Sequence, residues 1–220
     1  LGVQRGTFEP RFMPWRMDDM QPILRQLPQV LAVVPGLAPR TDPTRIAATG
    51  HSLGGMVAQS LGGAPYLDSE SGATIRQADE RVRATVIISG PGAIPGFLRA
   101  GDFAGLRGPV LVSAGSNDLK QDPVLTGYEW RRQPYDLAPP GDKFLLTLDG
   151  ADHYLGGSVG RDDLARAPNA AQFVAALNVV SGKFLAAYLR EDARAVQWLR
   201  QHSSVDQAAK LPPLCKLEAR

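Results

Sequence analysis

The stretch that decides the reading of this chain is RIAATGHSLGGMVAQSLGG, Arg45 to Gly63. Arg45 to Thr49 reads as a short strand, and Met56, Val57, Ser60 and Leu61 fit the buried face of a small-residue helix. Between them stands Gly50-His51-Ser52-Leu53-Gly54. This Gly-x-Ser-x-Gly spacing is that of a nucleophile elbow, in which a strand turns sharply into a helix and the serine is held out at the turn. The close approach of neighbouring chain accounts for glycine two positions before and two after. The same turn puts the Leu53 N–H at a helix N-terminus, where it can face a developing oxyanion. The plainer alternative is a glycine turn that Ser52 merely decorates. The strand before and the helix after favour the first reading.

A serine hydroxyl is a poor nucleophile at neutral pH and needs a base, which in turn needs an orienting group. In this arrangement acid and base follow the serine in that order, each just past a later strand. The chain has three histidines. His51 lies inside the elbow, with its side chain expected to point away from the nucleophile and to serve packing or hydrogen bonding. His202 reads as a solvated surface residue of a polar C-terminal stretch. His153, in the loop after the run Phe144 to Leu148, is the candidate base. For the acid, Asp118 follows the run Pro109 to Ala114 directly, whereas Asp122 is farther on and begins an Asp-Pro turn. Asp152 is too close to His153 to reach round to its ring, and Asp149 reads as a loop cap. Ser52, Asp118 and His153 together imply acyl transfer through a tetrahedral intermediate, with His153 passing the proton and Asp118 fixing its tautomer. That chemistry needs no metal and no other cofactor. No metal-ligand spacing and no phosphate-binding glycine-lysine loop is found.

Outward from this centre, the 220 residues read as one domain. Lys and Arg number 24 against 22 Asp and Glu, a net charge of +2 with no basic cluster, which gives no sign of a nucleic-acid partner. The apolar runs are short of a membrane span. The lone Cys215, in the C-terminal tail, excludes an internal disulfide. Residues 1–16 read as loop. From Asp18, with Asp18 or Asp19 as cap and Pro22 in the first turn, a helical stripe runs through Met20, Ile23, Leu24, Leu27, Val30, Leu31 and Val34. Pro28 leaves open one helix or two, and Pro35-Gly36 ends the pattern. Residues 63–80 read as a polar surface excursion. Ala84 to Ser89, Pro109 to Ala114 and Phe144 to Leu148 are nearly continuously apolar, as strands covered on both faces are. Residues 169–189 form the strongest helix, with a stripe through Phe173, Val174, Leu177, Val180, Phe184, Leu185 and Tyr188, and Ala193 to Leu199 adds a short amphipathic piece. The sum predicts an α/β chain with a mostly parallel sheet and flanking helices.

On these residues the chain resembles the α/β-hydrolase superfamily, and within it the dienelactone-hydrolase-like and platelet-activating-factor-acetylhydrolase-like esterases, near polyester hydrolases and chlorophyllases. DPTRIAATGHSLGG (Asp42 to Gly55), VLVSAGSND (Val110 to Asp118), YEWRRQPYDLAPPGDK (Tyr128 to Lys143) and GDKFLLTLDGADHYLGG (Gly141 to Gly157) carry the resemblance, which covers most of residues 18–189. Dienelactone hydrolases use a cysteine nucleophile. With Ser52 in that place, the resemblance implies an ester hydrolase. It also implies several strands and a His-Gly segment ahead of the elbow, with a second oxyanion N–H, and no His-Gly occurs here. The chain is therefore expected to be the C-terminal portion of such a domain, its N-terminal strands absent and a separate N-terminal fragment a candidate partner.

Tyr154 and Leu155, next to the base, are candidate pocket residues, and Trp130 is a candidate lid contact; local packing is the alternative for each. The expected substrate is a small or medium carboxylic ester. Acyl transfer to an alcohol, amide or thioester cleavage, or a hydrolase fold retained for binding alone are the rival readings. Export and a cytoplasmic location are both open.

Overall fold

The computed structural model describes residues 13–118, 127–159, 165–203 and 214–220. In chain order its elements are α1 (Met13–Arg25), α2 (Leu27–Val33), β1 (Ile46–His51), α3 (Leu53–Leu61), β2 (Tyr66–Leu67), β3 (Thr74–Ile75), β4 (Val82–Ile88), β5 (Val110–Gly115), α4 (Gly127–Arg131), α5 (Gln133–Asp136), β6 (Lys143–Leu148), α6 (Ala170–Leu189), α7 (Ala193–His202) and β7 (Cys215–Ala219). Strands β1, β4, β5 and β6 pair in parallel in the sheet order β1-β4-β5-β6-β7, and β7 joins β6 antiparallel. The fold is thus α/β with a mostly parallel five-stranded sheet flanked by helices.

The apolar runs alternate between two faces with the period of a strand. Ala84, Val86, Leu111, Phe144, Leu146 and Leu148 face α6, where Phe173, Leu177, Val180 and Phe184 cover them. Ile87, Val110, Val112 and Leu145 face the other way and pack with Phe97, Phe103, Trp130 and Tyr135. Each fully buried side chain of this kind contributes roughly 1.5–3 kcal/mol. Burial on both sides is why these strands read as nearly unbroken apolar runs. By length and composition α6 is apolar enough to cross a membrane, contrary to the reading that every apolar stretch falls short. Here one of its faces is packed on the sheet.

Other expectations are corrected. The first helix begins at Met13, so Asp18 and Asp19 lie inside it instead of capping it, and Pro22 is interior. The helix breaks before Pro28, in the first turn of α2. Among the described residues of α1 only Met17 and Leu24 are buried, and no residue of α2 is; Ile23, Val30 and Val34 are exposed. Polar ties dock α1: Gln77 Nε2 donates to Asp18 Oδ1 at 2.6 Å, and Arg81 Nη1 to the Leu24 carbonyl at 2.6 Å. Residues 63–80 contain the β2–β3 hairpin, pinned by Tyr66, which is buried against Phe97. Cys215 starts an edge strand instead of lying in a tail, with Cys215 and Leu217 turned into the core. His202 is buried rather than solvated: it stacks on Trp198 with centroids 3.9 Å apart, and its Nδ1 lies 2.8 Å from the Trp198 carbonyl.

Candidate active site

Parallel pairing brings the C-terminal ends of β1, β4, β5 and β6 to one edge of the sheet, where ligand crevices of open α/β sheets form. His51 is in register with Ile88, and Gly115 with Leu148. The loops after these four strands consequently converge, and three of them carry Ser52, Asp118 and His153.

Ser52 sits between β1 and α3 with φ +56° and ψ −120°, a conformation that side chains rarely adopt. Its N–H donates to the Ile88 carbonyl at 2.9 Å, fixing the turn on β4. A Cβ on Gly50 would collide with the carbonyl group of Gly54, so glycine is obligatory there. Gly54 differs from the expectation: a Cβ there would meet nothing. The second close approach is made by Gly55 instead, whose Cβ would lie 3.0 Å from the Gly90 Cα.

The Ser52 Oγ lies 2.8 Å from His153 Nε2. On the far side of the ring, Nδ1 lies 3.1 Å from both Asp118 Oδ1 and Oδ2. Asp118 is completely buried. Burial pushes its carboxyl up, but the His153 hydrogen bond and the charges of Arg131 and His153 outweigh this and hold it below the ordinary range. With Asp118 ionised, Nδ1–H donates to it and Nε2 is left as acceptor for the serine proton. Leu53 opens α3, so its N–H has no carbonyl within the helix to bond and lies beside Ser52.

The competing carboxylates have other partners. Asp152 Oδ1 accepts from the Tyr154 and Gly156 N–H groups, at 3.0 and 2.8 Å. Asp149 Oδ1 accepts from Ser116 Oγ at 2.8 Å, tying the acid and base loops together. Asp122 lies outside the described residues.

His51 does form a hydrogen bond, but it does not point away from the site. Its ring centroid is 4.8 Å from that of His153, and its Nε2–H donates to the His153 carbonyl at 2.7 Å. Burial lowers its pKa below the ordinary imidazole value. Tyr154 remains beside the base, its ring edge-on to His153 at 5.1 Å. Leu155 is corrected: it is 1 % exposed, with φ +52°, and packs in the core under α6. Trp130 is buried rather than an exposed lid contact, and its Nε1–H donates to the Ala93 carbonyl at 2.7 Å, tying α4 to the loop after β4.

Sequence reasoning missed Arg131, which is buried and lies 3.1 Å from Asp118. Nothing in the spacing of YEWRR separates it from Arg132, which pairs with Asp136 instead. Among the described residues no group of three His, Cys, Asp or Glu side chains is placed to hold a metal ion. The arrangement can activate a hydroxyl by proton transfer and stabilise an adjacent oxyanion. The chain matches no known family model, and no curated protein matches it.

Proposed function

We propose that this protein is a serine hydrolase of the α/β-hydrolase type that cleaves a small or medium carboxylic ester. The observation carrying the reading is the unbroken line from Ser52 Oγ through His153 to Asp118, with contacts of 2.8 and 3.1 Å. The strained φ of +56° at Ser52 supports it, because a serine that only decorated a turn would not require such a backbone.

In the first half-reaction Ser52 Oγ attacks the ester carbonyl carbon and its proton passes to His153 Nε2. The carbonyl oxygen becomes an oxyanion facing the Leu53 N–H. Collapse of this intermediate breaks the bond to the alkoxy oxygen, which takes the proton from Nε2 and leaves as the alcohol. Water then gives a proton to Nε2 and attacks the acyl-enzyme, and return of that proton to Ser52 Oγ releases the acid. Asp118 remains ionised throughout. The edge-on contact of Tyr154 with the imidazole supports a role for it against the substrate.

The test is turnover of p-nitrophenyl esters of graded acyl length against the matching anilides. The native chain hydrolyses esters in preference to anilides, and Ser52→Ala lowers kcat by about 10³-fold or more. Anilides cleaved faster than esters would replace the reading with an amidase; turnover retained by Ser52→Ala would remove the nucleophile.

A further inference from the structure

Arg131 ends α4 and is 6 % exposed. Each guanidinium nitrogen meets a different part of the site. Nε lies 3.1 Å from Asp118 Oδ1, Nη1 donates to the Ser89 carbonyl at 2.8 Å, and Nη2 lies 3.2 Å from His153 Nδ1. The guanidinium also stacks on the Trp130 ring at 4.7 Å. An apolar side chain would fill this space without the desolvation that a cation suffers. The charge therefore needs its own explanation.

Asp118 is wholly buried, and His153 must be neutral while it waits to act as a base. A neutral imidazole cannot balance the carboxylate; the permanent guanidinium can. The same cation bears on the next step. With the proton on Nδ1, Nδ1–H and Nη2–H already face each other as two donors 3.2 Å apart, and once Nε2 takes the serine proton two positive charges also face each other, which opposes the attraction of Asp118. There is also a competing arrangement, in which a bare Nδ1 accepts from Nη2 and the proton sits on Nε2. Ser52 would then have no acceptor. The two contacts from Asp118 keep the proton on Nδ1.

We propose that Arg131 is a positioning residue of this site, which balances the buried Asp118 carboxylate and holds it aimed at His153 Nδ1. The proposal rests on the serine hydrolase reading. Among the described residues, the titratable and charged groups facing His153 are Asp118 from the loop after β5, Arg131 from α4, His51 from the end of β1 and Tyr154 from its own loop. Asp152 is turned to the backbone of that loop. Of these groups Arg131 carries the permanent positive charge, so removing it leaves the buried Asp118 carboxylate without its cation.

The test is the NMR signal of the His153 Nδ1–H proton in the native chain, Arg131→Gln and Arg131→Lys, beside kcat and KM for a p-nitrophenyl ester. The native signal is that of a proton hydrogen-bonded to Asp118, and in Arg131→Gln it moves upfield or broadens away as the carboxylate loses its aim. The kcat of this variant falls at least about tenfold, with little change in KM. Arg131→Lys keeps the charge without the fork, so it returns the signal most of the way but not kcat. A folded Arg131→Gln protein with the native signal overturns the proposal, as does a lysine variant whose signal matches the glutamine one. If Arg131→Gln does not fold, Arg131→Gln/Asp118→Asn must recover the fold by removing the uncompensated carboxylate, and a double variant that also fails overturns it. The proton signal requires no turnover. A native chain that hydrolyses no ester would sink the hydrolase reading, while the signal would still judge Arg131.

Discussion

His51 and His153, 102 residues apart in sequence, are joined by a hydrogen bond of 2.7 Å from the first ring to the second backbone carbonyl. The elbow thereby holds the loop of its own base. Because burial lowers the His51 pKa, the folded chain resists protonation there more than the unfolded chain does. The contribution of His51 is complete above the unfolded value of about 6.5 and is lost as pH falls from there through the lower folded value. Thermal unfolding followed from pH 7.5 to 5 should show Tm falling, and His51→Gln should flatten that fall. An equal slope in both proteins would contradict the assignment.

Asp118 and Asp152 are separated by function. Asp118→Asn should lower kcat by about 10³–10⁴-fold, as loss of the orienting carboxylate does in serine proteases. Asp152→Asn keeps an oxygen for the Tyr154 and Gly156 N–H groups and should cost less than about tenfold. Steady-state kinetics of the two variants decide this, and a larger loss in Asp152→Asn would reverse the assignment.

Two glycines of the elbow should respond in opposite directions. Gly50→Ala forces its Cβ into the Gly54 carbonyl group and should destabilise by about 3 kcal/mol or more, or abolish folding. Gly54→Ala enters open space in the first turn of α3 and should be neutral or stabilise by about 0.5 kcal/mol. Denaturant unfolding of both measures the contrast.

Leu155→Ala tests whether that residue belongs to the core. It should lose about 2–4 kcal/mol of stability with KM close to native, because its side chain packs under α6 and away from the substrate. A change in KM with stability intact would restore it to the pocket.

Much of this framework was legible in the sequence because burial on both faces writes strands as apolar runs, and because loops after parallel strands meet at one edge. Ser52, Asp118 and His153 could be placed in chain order for that reason, and their mutual distances agree with the placement. What escaped depended on three-dimensional surroundings. Arg131 and Arg132 are adjacent and chemically identical, yet one points to Asp118 and the other to Asp136. Gly54 and Gly55 look interchangeable, but only Gly55 faces Gly90 closely. Leu155 follows the base in sequence, and a positive φ turns it inward. In β7 only Cys215 and Leu217 face inward, too few positions to establish a period. The apolar stripe of α1 and α2 misled most, since helical spacing records amphipathicity and not whether a partner surface covers it.

The most direct measurement is the intact mass of the chain after reaction with a fluorophosphonate probe, with Ser52→Ala treated in parallel. The account predicts one adduct on the native chain, mapped to Ser52 and lost in the variant. A folded native chain that takes no adduct, or a variant that takes the same one, would contradict the claim that Ser52 is an activated nucleophile.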